Sequence, residues 1–146
     1  MTTFVEVGLA IKDSLETVST TLIPTHPIRR VDYGDVDRVT ESIQVCIEPE
    51  TKRTELRSIG RGVTRRFRVY VYIYFSFVTN PEYNRESCDR LAEAIETHLN
   101  ESPTLGGLVI NGMVTEVASG MARKDGMSVR AARITYEAES VDRLPL

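Results

Sequence analysis

The sequence predicts an α+β domain, with two main helices packed on one face of a mostly antiparallel four-stranded sheet and a long loop between the first two strands. Residues 4–22 and 88–99 each repeat apolar side chains with a helical period. Residues 65–78 instead alternate apolar and polar side chains, which is typical of a strand. The 146 residues suit a single domain, 1–146, of ordinary size.

The first helix is predicted from an apolar stripe whose members lie three or four residues apart: Phe4, Val7, Ile11, Leu15, Val18 and Leu22. Thr3 and Glu6 have the spacing of a capping box, in which each side chain satisfies a free backbone amide of the other residue. Because Pro24 disfavours helical geometry at the residue before it, the helix is expected to end by Ile23.

The next part of the chain predicts one strand and then irregular structure. Residues 32–35 read as a turn and residues 36–41 as a short helical turn. Residues 42–47 alternate polar and apolar side chains and predict the first strand, which Pro49 is expected to end. Residues 50–64 follow neither period, so they predict a mobile loop, long enough to indicate a function or ordering on a partner.

The long strand predicted at residues 65–78 has two contrasting faces. One is apolar and predicts core: Phe67, Val69, Val71, Ile73, Phe75 and Phe77. The other is polar and aromatic: Arg66, Arg68, Tyr70, Tyr72, Tyr74 and Ser76. Tyrosine and arginine are enriched where protein surfaces meet, so this face predicts a subunit interface. The alternative is that the tyrosines pack beneath the first helix of their own subunit.

The C-terminal half predicts a helix and a hairpin. A helix is expected to start at Pro81, and Lys124-Asp125-Gly126 is a turn signal between two strand-like segments. In the first of these strands Gly112 is interpreted as a bulge. In the last strand the apolar phase changes, which predicts a second bulge near Ala131 and Ala132.

Charge is unevenly distributed along the chain. Between Thr51 and Arg68, seven Lys and Arg residues face a single acid, Glu55, so this window carries a net charge of +6 and the rest carries −9. Fifteen of the eighteen cations are arginine, whose planar guanidinium suits pairing at interfaces. The window is therefore predicted either to dock an acidic partner or to be a solvated loop.

The sequence offers little that resembles catalytic chemistry. Gly60-Arg61-Gly62 lacks the remaining residues of a phosphate-binding loop, and neither cysteine has metal-ligand spacing. Cys46 and His98 could in principle meet as a nucleophile and a base, but both fall inside predicted regular elements. We therefore expect no enzyme, no metal and no cofactor. The lack of a leader or of a 20-residue apolar segment predicts no membrane association, and the two cysteines predict a reduced setting.

Taken together, these elements resemble the tail terminator (tail completion) proteins of long-tailed bacteriophages over nearly the whole chain. The resemblance rests on the opening amphipathic helix, the segment Ser42–Pro49, the long charged loop, the aromatic strand at Arg66–Val71, the helix Leu91–Leu99 and the turn Leu105–Leu108.

This resemblance implies a virion protein that acts by assembly. Such proteins form a ring, usually a hexamer, which caps the tail tube, ends its growth and meets the head connector, while DNA passes through the lumen without specific binding. By analogy, Arg53, Arg57 and Arg61 would dock the loop on the tube protein. Arg66, Arg68, Tyr70, Tyr72 and Tyr74 would lie at the subunit interface. A sheath protein would be a further partner in a contractile tail, and assembly would occur in the host cytoplasm.

Two other functions stay open. Neck and head-completion proteins of the same virions share similar small α+β folds. A nucleic-acid-binding domain would use the basic loop and stack bases on the tyrosines of the strand, although the overall acidity of the chain opposes this.

Overall fold

A computed structural model describes residues 2–56, 62–76 and 81–143. In these parts of the chain it forms two helices and five strands: α1 (Phe4–Thr17), β1 (Arg30–Tyr33), β2 (Ile43–Leu56), β3 (Gly62–Phe75), α2 (Pro81–Asn100), β4 (Asn111–Lys124) and β5 (Met127–Arg143). The α+β class with two helices is confirmed.

The strands form one mixed sheet in the order β1-β2-β3-β5-β4. β1 pairs parallel with β2, and the other three neighbouring pairs are antiparallel. The prediction of four strands was therefore wrong. The missed strand, β1, has only four residues, none of them buried, and is held by backbone pairing with residues 44–47. No hydrophobic alternation marks such a strand.

The main core lies between the sheet and both helices, on the side that we call the helix face; the opposite side is the open face. Its largest fully buried side chains come from α1, α2, β2, β3 and β5: Ile11, Leu15, Ile47, Phe67, Ile73, Phe75, Leu91, Ile95, Leu99, Ile134 and Tyr136. The apolar face predicted for the long strand is buried as expected from Phe67 to Phe75. Phe77 lies outside the described residues.

Helix α1 starts as predicted but ends earlier. The Thr3 hydroxyl accepts from the amide of Glu6, and the Glu6 carboxylate accepts from the amide of Thr3, which completes the capping box. The helix ends at Thr17, and turns follow in which the amide of Leu22 donates to the carbonyl of Val18 at 3.0 Å. These turns still bring Leu22 against the core, so the apolar period outlasts the helix.

The predicted loop at 50–64 is the main error in the sequence interpretation. Residues 50–56 belong to β2 and residues 62–64 to β3, and the two strands pair as a long antiparallel hairpin. The strand passes through Pro49 with a register shift between Pro49 and Thr51, a bulge that accommodates a residue without an amide hydrogen. Residues 50–56 are exposed on both sides of the strand, so no apolar period marked them. Residues 57–61 lie outside the described residues.

The bulges predicted at Gly112 and near Ala131 and Ala132 are also wrong. In both places the sequence pattern arises from close packing and not from an extra residue in the strand. Pairing is continuous through Ala131 and Ala132, and the register shift of β4 lies between Val114 and Glu116 instead. Gly112 is required by close approach, since a Cβ there would lie 2.0 Å from the hydroxyl oxygen of the fully buried Tyr136.

The change of apolar phase in β5 arises from a second, smaller core on the open face. Cys46, Tyr74, Val129 and Ala131 are buried there, with Val36 and Val39 packed over them. The segment 34–40, which runs from Gly34 to Thr40 without forming the predicted helical turn, supplies this cover. Both phases of β5 are therefore buried, one against the helices and one beneath this segment.

Candidate interaction surface

The predicted tyrosine ladder exists and lies on the open face. The ring centroids of Tyr70 and Tyr72 are 5.9 Å apart, and those of Tyr72 and Tyr74 are 6.1 Å apart in a stacked arrangement. Cations cover both ends: the guanidinium carbon of Arg133 lies 4.9 Å from the Tyr70 centroid, and Lys124 Nζ lies 5.0 Å from the Tyr74 centroid. The ladder is a preorganised aromatic surface because the two-residue repeat along β3 sets its spacing.

The three tyrosines differ in access to solvent. Tyr74 is 1% exposed, whereas Tyr70 and Tyr72 are half-buried. Burial, with the nearby Asp35 carboxylate, raises the pKa of the Tyr72 hydroxyl. Tyr74 packs within its own chain, but beneath the segment 34–40 and not beneath α1 as the alternative interpretation had it. Only Tyr70 and Tyr72 are accessible to another molecule.

Asp35 joins the covering segment to the sheet. Its carboxylate accepts hydrogen bonds from the Tyr74 hydroxyl at 2.6 Å, from Lys124 Nζ at 2.9 Å and from the Val36 amide at 2.9 Å. Its own amide donates to Glu48 Oε2 at 2.6 Å. Burial alone would raise the pKa of Asp35, but the three hydrogen bonds outweigh it and hold that pKa below its ordinary value.

The second half of the open face is a charged ladder on β2, β3 and β5. Arg66 lies 3.9 Å from Glu55 and 4.0 Å from Glu139. Arg68 lies 2.9 Å from Glu137, a pairing that raises the pKa of its guanidinium. At these exposed positions each ion pair contributes little to stability, but together they fix the direction of the long side chains.

This ladder changes the charge interpretation of the basic window. The hairpin arm, which we define as residues 50–56, 62–68 and 137–143, carries six basic and five acidic residues. The acids of β5 are distant in sequence and reach the arginines only through strand pairing. Arg65, which is 7% exposed, pairs with Asp142. The described part of the arm therefore carries a net charge of +1, and the same stretch with Arg57 and Arg61 included carries +3, half of the +6 of the basic window.

The proposed docking residues fall in different places. Arg53 is not in a loop: it lies on the exposed part of β2, opposite Arg66, and within the described residues it forms no ion pair. Arg57 and Arg61 lie outside the described residues. At the interface positions, Arg66 and Arg68 are exposed and side by side with Tyr70 along one strand face, as the alternation predicted.

Cys46, Cys88 and His98 lie at positions that suit a structural role. Cys46 is buried on the open face, whereas His98 lies on the helix side and its Nε2 is 2.8 Å from the Ser14 hydroxyl of α1. The two side chains are thus separated by the sheet and cannot act as a nucleophile and base. Burial raises the pKa of both Cys46 and Cys88 to about 12, so both thiols stay protonated at neutral pH.

The described residues contain neither a group of metal ligands nor a helix that could span a membrane. Among residues 2–56, 62–76 and 81–143, no three His, Cys, Asp or Glu side chains group closely enough to hold a metal ion. None of the helices in the same part of the chain is long and apolar enough to cross a bilayer.

Comparison with known proteins does not assign the chain to a family, because no family model matches it and no curated protein matches it significantly in sequence. The tyrosine ladder and the hairpin arm together form the candidate interaction surface of this chain.

Proposed function

We propose that this protein is a structural component of a phage virion, a tail terminator that forms a ring, as a hexamer, on the end of the tail tube. The ring ends tube growth and presents a joining surface to the head connector, with DNA passing through its lumen. The partners are copies of the chain, the tube protein, the connector protein and, in a contractile tail, the sheath protein. The protein acts by shape and contact, without catalysis, cofactor or metal.

The observation that carries this proposal is the exposed part of β2. Residues 50–56 form a regular strand with both sides exposed, and their only neighbour in the sheet is β3. A strand in that position buries no core, so it contributes little to the stability of its own domain. Its extended shape suits reaching a neighbouring molecule, which is how a capping ring contacts the tube beneath it.

The charge pattern supports assembly among proteins over retention of DNA. Arg66 and Arg68 of the arm pair with glutamates of β2 and β5, and Arg65 pairs with an aspartate of β5. The remainder of the chain is acidic. Nucleic-acid affinity depends on unpaired cations that displace counterions from phosphates. A ring made of such subunits lets DNA slide through without holding it.

The first test is whether the chain limits the growth of tubes formed by the tail-tube protein of the same virus. Electron microscopy of tubes polymerised from that protein is expected to show limited lengths and a cap when this chain is added. Tubes that grow to the same length with and without the chain would refute the tail-terminator assignment.

The second test shortens the arm without disturbing the core pairing. Lys52 and Phe67 face each other across the hairpin, so replacing residues 53–66 by Asn-Gly removes most of the exposed part of β2 and joins the two strands through a two-residue turn. The shortened protein is expected to fold but to stop capping tubes. The matched control is Arg123→Ala, an exposed cation at the opposite edge of the sheet, which is expected to cap normally. Normal capping by the shortened protein would refute the role of the arm.

A second candidate function is single-stranded nucleic-acid binding, favoured by the stacked Tyr70 and Tyr72 with Arg133 over Tyr70. A gel shift with a single strand that weakens steeply as salt is added, and that is lost in Tyr72→Ala, would favour this candidate. Absence of a shift at low salt would favour assembly.

A neck or head-completion protein of the same virion is the third candidate, since similar small α+β folds serve there. Localisation by antibody labelling of purified particles separates the two: the label is expected at the head-proximal end of isolated tails. Label on tail-less heads would assign the chain to the neck.

A further inference from the structure

The two edges of the sheet are protected very differently. The exposed part of β2 carries four charged residues in seven positions, Glu50, Lys52, Arg53 and Glu55. β4, the opposite edge, pairs only with β5, and residues 115–122 contain a single charge, Glu116, and no proline. Proteins usually place charges or prolines on exposed edges because free backbone amides and carbonyls recruit further strands. β4 lacks that protection over eight residues.

The same stretch of β4 also exposes apolar side chains. Val117 and Met121, four residues apart, lie on the helix face of the strand and are 37% and 59% exposed. The exposed Ser119 lies between them. An unprotected backbone edge and an apolar row on one side of it are the two features that strand addition uses.

We propose that β4 pairs antiparallel with β4 of a second copy of this chain, about a two-fold axis at Ser119. In this register Val117 of each copy lies opposite Met121 of the other, and Ser119 lies opposite itself. Glu116 of each copy, the single charge within residues 115–122, lies opposite Ala122 of the other, so the pairing brings no like charges together. The strand is thus complementary to itself, because exposed apolar side chains meet each other and no like charges face one another, which favours a second copy as the partner.

The size of this contact sets its strength. Seven paired residues, 116–122, at a rise of about 3.4 Å extend over about 24 Å, which is a small interface compared with obligate dimers. The dimer is therefore expected to be concentration-dependent, with an average mass that moves from 16.4 kDa towards twice that value as concentration rises. The pairing is two-fold and does not rest on the proposed ring, which requires a different, head-to-tail contact.

The test is a cysteine cross-link at the proposed axis. Directly opposite residues of antiparallel strands have Cα atoms about 4.5–5.5 Å apart, within the range of a disulfide. Ser119→Cys is expected to form a covalent dimer under mild oxidation. The matched control, Glu93→Cys, places an exposed cysteine on α2, away from both edges of the sheet and from the hairpin arm, and is expected to stay monomeric. The native Cys46 and Cys88 are buried and do not compete.

A second substitution separates specific pairing from random collision. Adding Met121→Lys to Ser119→Cys puts a cation on the apolar row and is expected to reduce the cross-linked fraction at least fivefold, with an unchanged thermal melt because Met121 is exposed. If Met121→Lys changes the thermal melt, Val117→Lys is used instead of it. Equal cross-linking of the Ser119 and Glu93 variants, no cross-link at Ser119, or insensitivity to both lysines would overturn the proposal. Capping of tubes by a chain that fails this test would leave the tail-terminator proposal intact.

Discussion

Replacing Tyr74 by phenylalanine tests whether Asp35 fastens the segment 34–40 to the open face. The change removes only the hydroxyl that donates to Asp35 at 2.6 Å and leaves the ring, which is 1% exposed, in place. A hydrogen bond to a charged group contributes up to about 3 kcal/mol, and removing the donor leaves the carboxylate one partner short. The side chain of Asp35 is 33% exposed, so water replaces part of the loss and the expected cost is about 1–2 kcal/mol.

The measurement is thermal unfolding followed by circular dichroism. For a chain of this length a loss of 1 kcal/mol lowers Tm by roughly 2–4 °C, so Tyr74→Phe is expected to lower Tm by about 2–8 °C. The matched control is Tyr72→Phe, on the next position of the same face. The Tyr72 hydroxyl makes no hydrogen bond to other described residues, and its loss is expected to change stability by less than about 0.5 kcal/mol. Equal effects of the two substitutions would refute the role of Asp35.

The same substitution has a defined pH dependence. The pKa of Asp35 is lower in the folded state than in the unfolded chain, so its contribution to stability is present above the unfolded value near 4 and is lost as pH falls through the folded value. The cost of Tyr74→Phe is therefore expected to be full at pH 7 and smaller at a pH below the folded pKa. A cost that is the same at both pH values would show that the charge of Asp35 is not involved.

The other predictions concern packing, the thiols and the hairpin turn. Gly112→Ala is expected to destabilise the fold by about 1–3 kcal/mol because its Cβ would collide with the buried Tyr136, whereas Gly120→Ala, with no atom within 4 Å, is expected to be nearly neutral in a urea titration. Cys46 is expected to react with a thiol reagent only as fast as the protein unfolds, so rapid reaction in native buffer would contradict its burial. Gly126→Ala is expected to cost about 1 kcal/mol because this residue has a φ of +76° in the turn after β4, and an unchanged melt would contradict that turn geometry.

Local patterns were sufficient to predict several elements. The capping box of α1, the buried face of β3 and the hairpin turn at Asp125 and Gly126 are confirmed at the predicted residues. In each case the signal lies within a few residues. The capping side chains bond to the end of their own helix, the alternation in β3 follows the pleat of the strand, and the turn requires residues that adopt positive φ. The faces on which the tyrosines and arginines lie were predicted for the same reason.

The elements that were missed depend on partners distant in sequence. β1 and residues 50–56 are strands because a neighbouring strand completes their backbone hydrogen bonds, and their own side chains carry no periodic signal. Likewise the basic window is partly neutralised only when pairing with β5 brings Glu137 and Glu139 beside its arginines.

The amino-acid order by itself therefore determined which residues repeat with a helical or strand period, where the tight turn falls and which strand face is aromatic. The tertiary structure alone decided that the charged segment is a strand, that Tyr74 is covered while Tyr72 remains accessible, and that one sheet edge is protected and the other is not. The physical reason is the sequence separation over which each kind of interaction acts. Periodicity and turn chemistry act within a few residues. Charge neutralisation, burial on a second face and edge exposure depend on contacts between segments far apart in sequence, such as Arg65 with Asp142 and Asp35 with Lys124.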